Sequence, residues 1–202
     1  MMVTTNADAP RLVLASASKV RADILSGAGV DFDICPSDVD ENILKDTLSD
    51  GGALALALAA EKAHAVSAQY PDHIVLGADQ ILSCDGRLFD KPRNMDEASK
   101  NLMFLRGKTH QLINGLALVL NGETVWQNTA TASLTMREFS EAFLDMYLHQ
   151  AGTSILSSVG CYRLEAEGSQ LFEKIDGDYF TVLGLPLMPL LGALRQHGVL
   201  ML

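Results

Sequence analysis

The chain has 202 residues, of which 48% are hydrophobic and 20% charged, enough to bury the core of one large globular domain or of two closely joined lobes. Its formal net charge of -10 argues against a nucleic-acid-binding face and against adhesion to anionic lipid, since both need basic surface. Any anion must therefore be held by a local cationic pocket.

Residues 1–10 carry no basic flank followed by an apolar core, so a flexible start without a signal peptide is expected. Arg11-Leu12-Val13-Leu14-Ala15 reads as a buried strand that passes through Ser16-Ala17-Ser18 into a helix carrying Arg21 and Ala22 to Leu25. Ser18 is placed to cap that helix, whose first N–H groups lack internal partners and whose dipole is positive at that end. A phosphate finds donors ready at such a junction, and Arg21 adds a planar fork for two of its oxygens. Read alone, the same stretch is equally a capped helix with a surface arginine.

Phe32 to Pro36 follows as a short strand and Ser37-Asp38-Val39-Asp40-Glu41 as an acidic loop. Gly51 to Gln69, rich in Ala and Leu, predicts a helix whose apolar surface is interrupted by Glu61 and Lys62. His73 to Ala78 reads as a strand, Asp79-Gln80 as its end, and Ile81 to Cys84 as a second strand closed by the turn Asp85-Gly86. Lys91-Pro92 lies in the loop before a helix over Asp96 to Leu105. Strand-like runs at Gln111 to Leu120 and Glu123 to Thr135 flank Asn121-Gly122, the strongest hairpin signal present.

Glu138 to Gln150 predicts an amphipathic helix. A strand over Leu171 to Ile175, a turn at Asp176-Gly177 and a final helix of about two to three turns ending near His197 and Gly198 complete the pattern. The longest apolar run, Val182 to Leu194, is broken by Gly184, Pro186, Pro189 and Gly192 and falls short of the roughly 20 residues of a membrane helix. It can serve as core or contribute to a homodimer. Cys35, Cys84 and Cys161 show no disulfide or zinc spacing, so free thiols in a cytoplasmic protein are expected. The histidines lack metal-ligand spacing, and His110 reads as a residue at a strand start. Strands mixed with helices imply an α/β fold with a mixed, partly parallel sheet flanked by helices, built as one domain over 1–202.

Singly, each polar residue has an ordinary reading: Lys62 a solvated helix residue, Asp79 a turn or cap, Lys91 a surface lysine, Glu41 part of an acidic loop. Together, cations at Arg21, Lys62 and Lys91 and acids at Asp40, Glu41 and Asp79 supply what hydrolysis of a polyphosphate requires. The catalyst must neutralise oxygens that repel an attacking water, hold a metal and orient the nucleophile. Magnesium favours one or two carboxylates together with substrate phosphates. Asp79, at the predicted end of a central strand, is the best-placed group to align and deprotonate water.

Leu14-Ala15-Ser16-Ala17-Ser18 with Arg21, Ser37 to Glu41, Glu61-Lys62-Ala63, Gly77-Ala78-Asp79-Gln80, Lys91-Pro92, Gly107-Lys108-Thr109-His110 and Gly184-Leu185-Pro186-Leu187 resemble, in order, the signature of the Maf family of nucleoside triphosphate pyrophosphatases. The resemblance covers roughly residues 11 to 198 and implies an ITPase-like mixed α/β fold with a central cleft, dependence on a divalent metal (Mg or Mn), and cleavage between the α and β phosphates. It implies phosphate contacts for Ser16, Arg21, Lys62 and Lys91, with Ser18 at the same junction, and metal and water roles for Glu41 and Asp79, with Asp40 beside them. It also implies a homodimer and a link to septum formation. One departure is that many members carry Pro-Arg-Arg where this chain has Lys19-Val20-Arg21, keeping only the last arginine.

Base preference turns on Gly160 to Gly168. The dTTP- and UTP-preferring branch usually has a glutamine here, whereas Glu165 is similar to the glutamate of the 7-methyl-GTP pyrophosphatase branch. A carboxylate accepts hydrogen bonds from guanine N1–H and NH2 and favours the positive charge that N7 methylation adds. The alternatives are an exposed loop role for Glu165, Glu167 as the true base contact, and a dTTP/UTP-preferring enzyme. A non-catalytic nucleotide sensor of septum formation would keep the phosphate pocket without needing Asp79, Lys62 and Lys91 together. A phosphatase releasing single phosphates would place its cations at the terminal phosphate.

Overall fold

The computed structural model of the chain describes residues 10–201. The expected flexible start thus lies, Pro10 apart, outside the described residues. Strands β1 (Leu12–Leu14), β2 (Phe32–Ile34), β3 (Ile74–Cys84), β4 (Arg87–Phe89), β5 (Thr109–Leu120), β6 (Glu123–Met136) and β7 (Phe172–Asp176) build one seven-stranded sheet. Its order is β2-β1-β3-β5-β6-β7, with β4 paired to β3. β1 runs parallel to β2 and β3 and the other pairs are antiparallel, giving the mixed, partly parallel α/β sheet that the sequence implies. Asn121 and Gly122 both adopt positive φ, as do Asp85 and Gly86, so each predicted two-residue hairpin turn forms with backbone twist matched to its strands.

The helices are α1 (Lys19–Gly27), α2 (Asn42–Thr47), α3 (Gly51–Ser67), α4 (Met95–Leu105), α5 (Glu141–Ala151), α6 (Tyr179–Leu183) and α7 (Leu187–Gln196). Two short ones, α2 and α6, are not read from the sequence because neither is long enough to show a periodic apolar face. α6 is instead set by its cap, with Asp178 Oδ1 accepting from Phe180 and Thr181 N–H. A further correction concerns Asp79, which lies inside a single continuous β3 and not at a strand end. Asp is a poor strand former, and the pairing of its neighbours with β5 on one side overrides that preference.

α3 covers one face of the sheet. Ala55, Ala59 and Ala63 are fully buried against it, and a Cβ at Gly77 or Gly115 would fall on the Ala59 or Ala55 carbonyl, so the helix backbone lies almost directly on β3 and β5. The other face carries two cores. One joins Leu12, Leu14, Leu76 and Leu118 to α1 and α7, and the second joins Leu82, Leu112 and Leu134 to α4 and α5. Of the apolar Val182–Leu194 run, Val182, Leu185, Leu187, Leu190, Ala193 and Leu194 are buried in these cores and Met188 is exposed. Among the described residues no helix is long and apolar enough to cross a membrane.

Candidate active site

β3 pairs with β1 over Ile74–Leu76 and with β4 over Leu82–Cys84, leaving Gly77 to Ile81 without a strand on that side. Arg21, in the first turn of α1, fills the gap. Its Nη1 donates to the Ala78 carbonyl (2.8 Å) and to Ser16 Oγ (3.2 Å), and its Nε donates to the Gly184 carbonyl (2.9 Å). Ser16 Oγ also accepts from Ser18 N–H (3.2 Å), while Ser18 caps α1 by accepting from Arg21 N–H (3.4 Å). Burial lowers the Arg21 pKa, against the opposing pull of the Asp79 and Glu41 charges. The Gly184 carbonyl is itself held in place through α6, because Gln80 Nε2 donates to the Thr181 and Val182 carbonyls and to Asn114 Oδ1, each at 3.2 Å.

On the α3 side, Lys62 stands between two carboxylates, 2.5 Å from Asp79 Oδ1 and 2.7 Å from Glu41 Oε1. The three side chains come from α3, β3 and the residue preceding α2, and the close seat of α3 on Gly77 is what lets Lys62 reach Asp79. Glu41 also pairs with Lys45 at 3.0 Å. Burial pushes the Glu41 carboxyl up, but hydrogen bonds and charge from Lys62 and Lys45 outweigh it and hold the pKa at about 2. Lys91 is drawn down by burial and by the neighbouring charges of Arg21 and Lys62, which marks it as one of a cluster of cations.

Ser16, Ser18, Arg21, Glu41, Lys62, Asp79, Lys91 and Glu165 all line one cavity of about 900 Å³. A neighbouring groove of about 1050 Å³, whose apolar wall includes Ile24, Leu183, Leu187 and Leu191, shares Arg163 and Glu165 with this cavity but contains none of Arg21, Lys62, Asp79 or Lys91. Asp40 is not brought in. Its Oδ1 accepts from the backbone N–H (3.0 Å) and Nδ2 (2.8 Å) of Asn42, so its carboxylate is occupied by the turn that starts α2. Lys19 reaches the rim of the same cavity, but its Nζ pairs with Asp23 at 2.7 Å on the exposed face of α1.

Two carboxylates on separate elements that grip one cation between them are the oxygen donors a magnesium site uses, so Glu41 and Asp79 fit a divalent metal. Among the described residues no group of three or more His, Cys, Asp or Glu could hold a metal, so the remaining positions around such an ion would fall to water or substrate oxygens. Glu165, also on the cavity wall, accepts from Arg163 Nε through Oε1 at 3.0 Å, and its Oε2 makes no hydrogen bond among the described residues. Glu167, on the 3-10 turn Glu167–Leu171, is not part of the cavity wall. Lys45, Gln80 and Arg163 are site residues that sequence reasoning passes over. Lys45 stands four residues after Glu41, the helical ion-pair spacing, and could have been found by it. Nothing in the sequence singles out the amide of Gln80 from its neighbours.

A family model described as "Maf-like protein" matches residues 11–197. The chain is 46% identical to a "Nucleoside triphosphate pyrophosphatase" of Granulibacter bethesdensis over 94% of its length and 98% of that protein. It is 48% identical to a protein of the same description from Maricaulis maris, over 94% of this chain and 98% of the relative. A "7-methyl-GTP pyrophosphatase" of Rhizobium meliloti is 46% identical over 95% of this chain and 98% of its own.

Proposed function

The chain belongs to the Maf-like protein family, and on that footing we propose that it is a nucleoside triphosphate pyrophosphatase, cleaving the anhydride between the α and β phosphates to a nucleoside monophosphate and pyrophosphate. The observation that carries this reading is the gathering of Arg21, Lys62 and Lys91 with Glu41 and Asp79 around one cavity of an otherwise acidic chain. A pure nucleotide sensor needs the cations but not a carboxylate gripped by one of them, which favours catalysis over binding alone.

Arg21 meets phosphate with its orientation already fixed by Ser16, Ala78 and Gly184, so little ordering is needed on binding. Ser16, Ser18 and the first turn of α1 offer further donors. Lys62 turns from the carboxylates to a phosphate oxygen, which frees Asp79 to orient a water and accept its proton. Lys91 adds a cation from the opposite loop and stabilises charge on the departing pyrophosphate. A divalent metal held by Glu41 and Asp79, magnesium or manganese, would withdraw charge from the phosphates as a Lewis acid.

Relatives equally similar to this chain bear both substrate descriptions, so base preference is argued from the site. Glu165 Oε2 matches the donor edge of guanine, and the reading is a preference for a guanine-type or N7-methylated triphosphate over dTTP. Exchanging Glu165→Gln is expected to shift the ranking toward dTTP and UTP in steady-state comparison; an unchanged ranking removes Glu165 from the base contact. The activity itself is tested by product analysis with magnesium for the native chain and Asp79→Asn. Expected are monophosphate and pyrophosphate from the native chain and a loss of about 10²- to 10⁴-fold in the variant. Diphosphate with orthophosphate, or equal rates for the two proteins, would overturn the proposal.

A further inference from the structure

The ion pairs at the site extend past the groups that chemistry requires. Asp79, Lys62, Glu41, Lys45 and Asp90 alternate in sign along one wall of the cavity, with successive separations of 2.5, 2.7, 3.0 and 2.8 Å. Lys45 and Asp90 are the members without a part in the reaction, and Lys45 joins two different elements. One partner, Glu41, begins α2; the other, Asp90, immediately precedes Lys91 in the loop after β4.

We propose that Lys45 is a positioning residue that ties Glu41 to the loop carrying Lys91 and so fixes the spacing of these two groups across the cavity. The proposal rests on the pyrophosphatase reading, since it assigns Lys45 a task in that reaction. Two observations carry it. First, α2 has no fully buried residue, and only Leu44 and Leu48 rest on the cluster of Leu54, Leu58 and Ile81, so packing alone anchors the helix weakly. Second, Glu41 is shared between Lys62 and Lys45, so in the proposed reaction, where Lys62 turns to a phosphate, Lys45 is the cation that stays on that carboxylate. The Lys45–Asp90 half of the tie is solvent-exposed at Asp90 and contributes little to folding stability, so its consequence is placement of groups more than stability. Partners that orient metal-binding carboxylates typically change affinity or activity by about 10- to 100-fold when removed.

The test compares the native chain with Lys45→Met, Lys45→Arg, Asp90→Asn and the Lys45→Met/Asp90→Asn double variant. Expected for Lys45→Met are a fall in kcat/KM of about tenfold and a rise in half-saturating magnesium by a similar factor, with an unchanged melting temperature. Lys45→Arg should recover most of the loss, and the double variant should be no worse than Lys45→Met, because both substitutions break the same tie. Hydrogen exchange read on residues 42–48 should quicken in Lys45→Met and in Asp90→Asn. Native kcat/KM in Lys45→Met, additive losses in the double variant, or native exchange in both single variants would each overturn the proposal. A native chain that releases no pyrophosphate would defeat the pyrophosphatase reading, while the exchange measurement would still decide whether Lys45 holds α2 to the loop.

Discussion

The two sides of β3 are finished differently. Toward β5, pairing runs unbroken from Ile74 to Ser83, and the register sets Asp79 opposite Gly115. Toward β1 and β4, pairing stops over Gly77 to Ile81, and the Ala78 carbonyl is taken by a guanidinium in place of a strand. A buried backbone group must find a partner, and here one partner is a charged side chain that also faces the cavity. The comparison teaches how a sheet can admit a polar site at its middle: one long, fully paired edge supports the central strand, so the other edge can be opened and lined with Arg21, Lys62 and Asp79.

The largest effect is expected from breaking the seat of α3 on the sheet. Gly77→Val places branched carbons where the Ala59 carbonyl lies, and no flexible side chain can move aside, since the obstacle is helix backbone. Overpacking of this kind costs about 1–3 kcal/mol or more, and it should also lift Lys62 from Asp79. Urea denaturation should show a midpoint well below native, and any folded fraction should have lost most of its pyrophosphate release. A native midpoint would mean that α3 does not depend on the missing Cβ.

Arg21→Lys addresses the open edge alone. An ammonium cannot reach Ala78, Gly184 and a phosphate in the planar pattern that the guanidinium spans, so one buried carbonyl is left without its partner. The expected loss is about 10²-fold in kcat/KM with a stability change of only about 1–2 kcal/mol. Should activity survive intact, the arginine would be a strand substitute and nothing more.

The same contrast explains what was legible in the sequence. The closed edge was readable because hairpin turns such as Asn121-Gly122 and long apolar strands announce themselves locally. The meeting of Arg21, Lys62, Asp79 and Lys91 could be argued from charge logic and the ordered blocks, since an acidic chain has few reasons to group cations. The sequence points Asp79 to a strand end because local preference disfavours Asp in a strand, whereas the β5 pairing and Lys62 make the interior position tolerable. Asp40 looked equivalent to Glu41 by type and position, but its shorter side chain folds back on Asn42. Contacts such as Gln80 to the α6 carbonyls join segments about a hundred residues apart, and spacing rules carry no information at that range.

The smallest expected effect is a pair of slopes that separates the two edges by pH. On the closed side, His110 near the start of β5 is buried against Tyr162, with its Nε2 2.7 Å from the phenol oxygen, and burial lowers its pKa to about 4. The unfolded chain then binds a proton first, near its ordinary value of about 6.5, so the stability given by a neutral His110 is complete above that pH and is lost as pH falls toward 4. On the open side, the folded Glu41 carboxyl is held at about 2 by Lys62 and Lys45, so its contribution is complete above the ordinary carboxyl value of about 4.3 and is lost as pH falls from there toward 2. The slope of unfolding free energy against pH should therefore differ from that of His110→Gln between about 6.5 and about 4 and from that of Glu41→Gln between about 4.3 and about 2, the offset due to Glu41 being full above about 4.3 and fading toward about 2. Curves that run parallel to the native one through both windows would show that neither group is held as its surroundings imply. A Glu41→Gln curve that converges only in the upper window would place the carboxylate outside the grip of Lys62 and remove the electrostatic basis for its role beside Asp79.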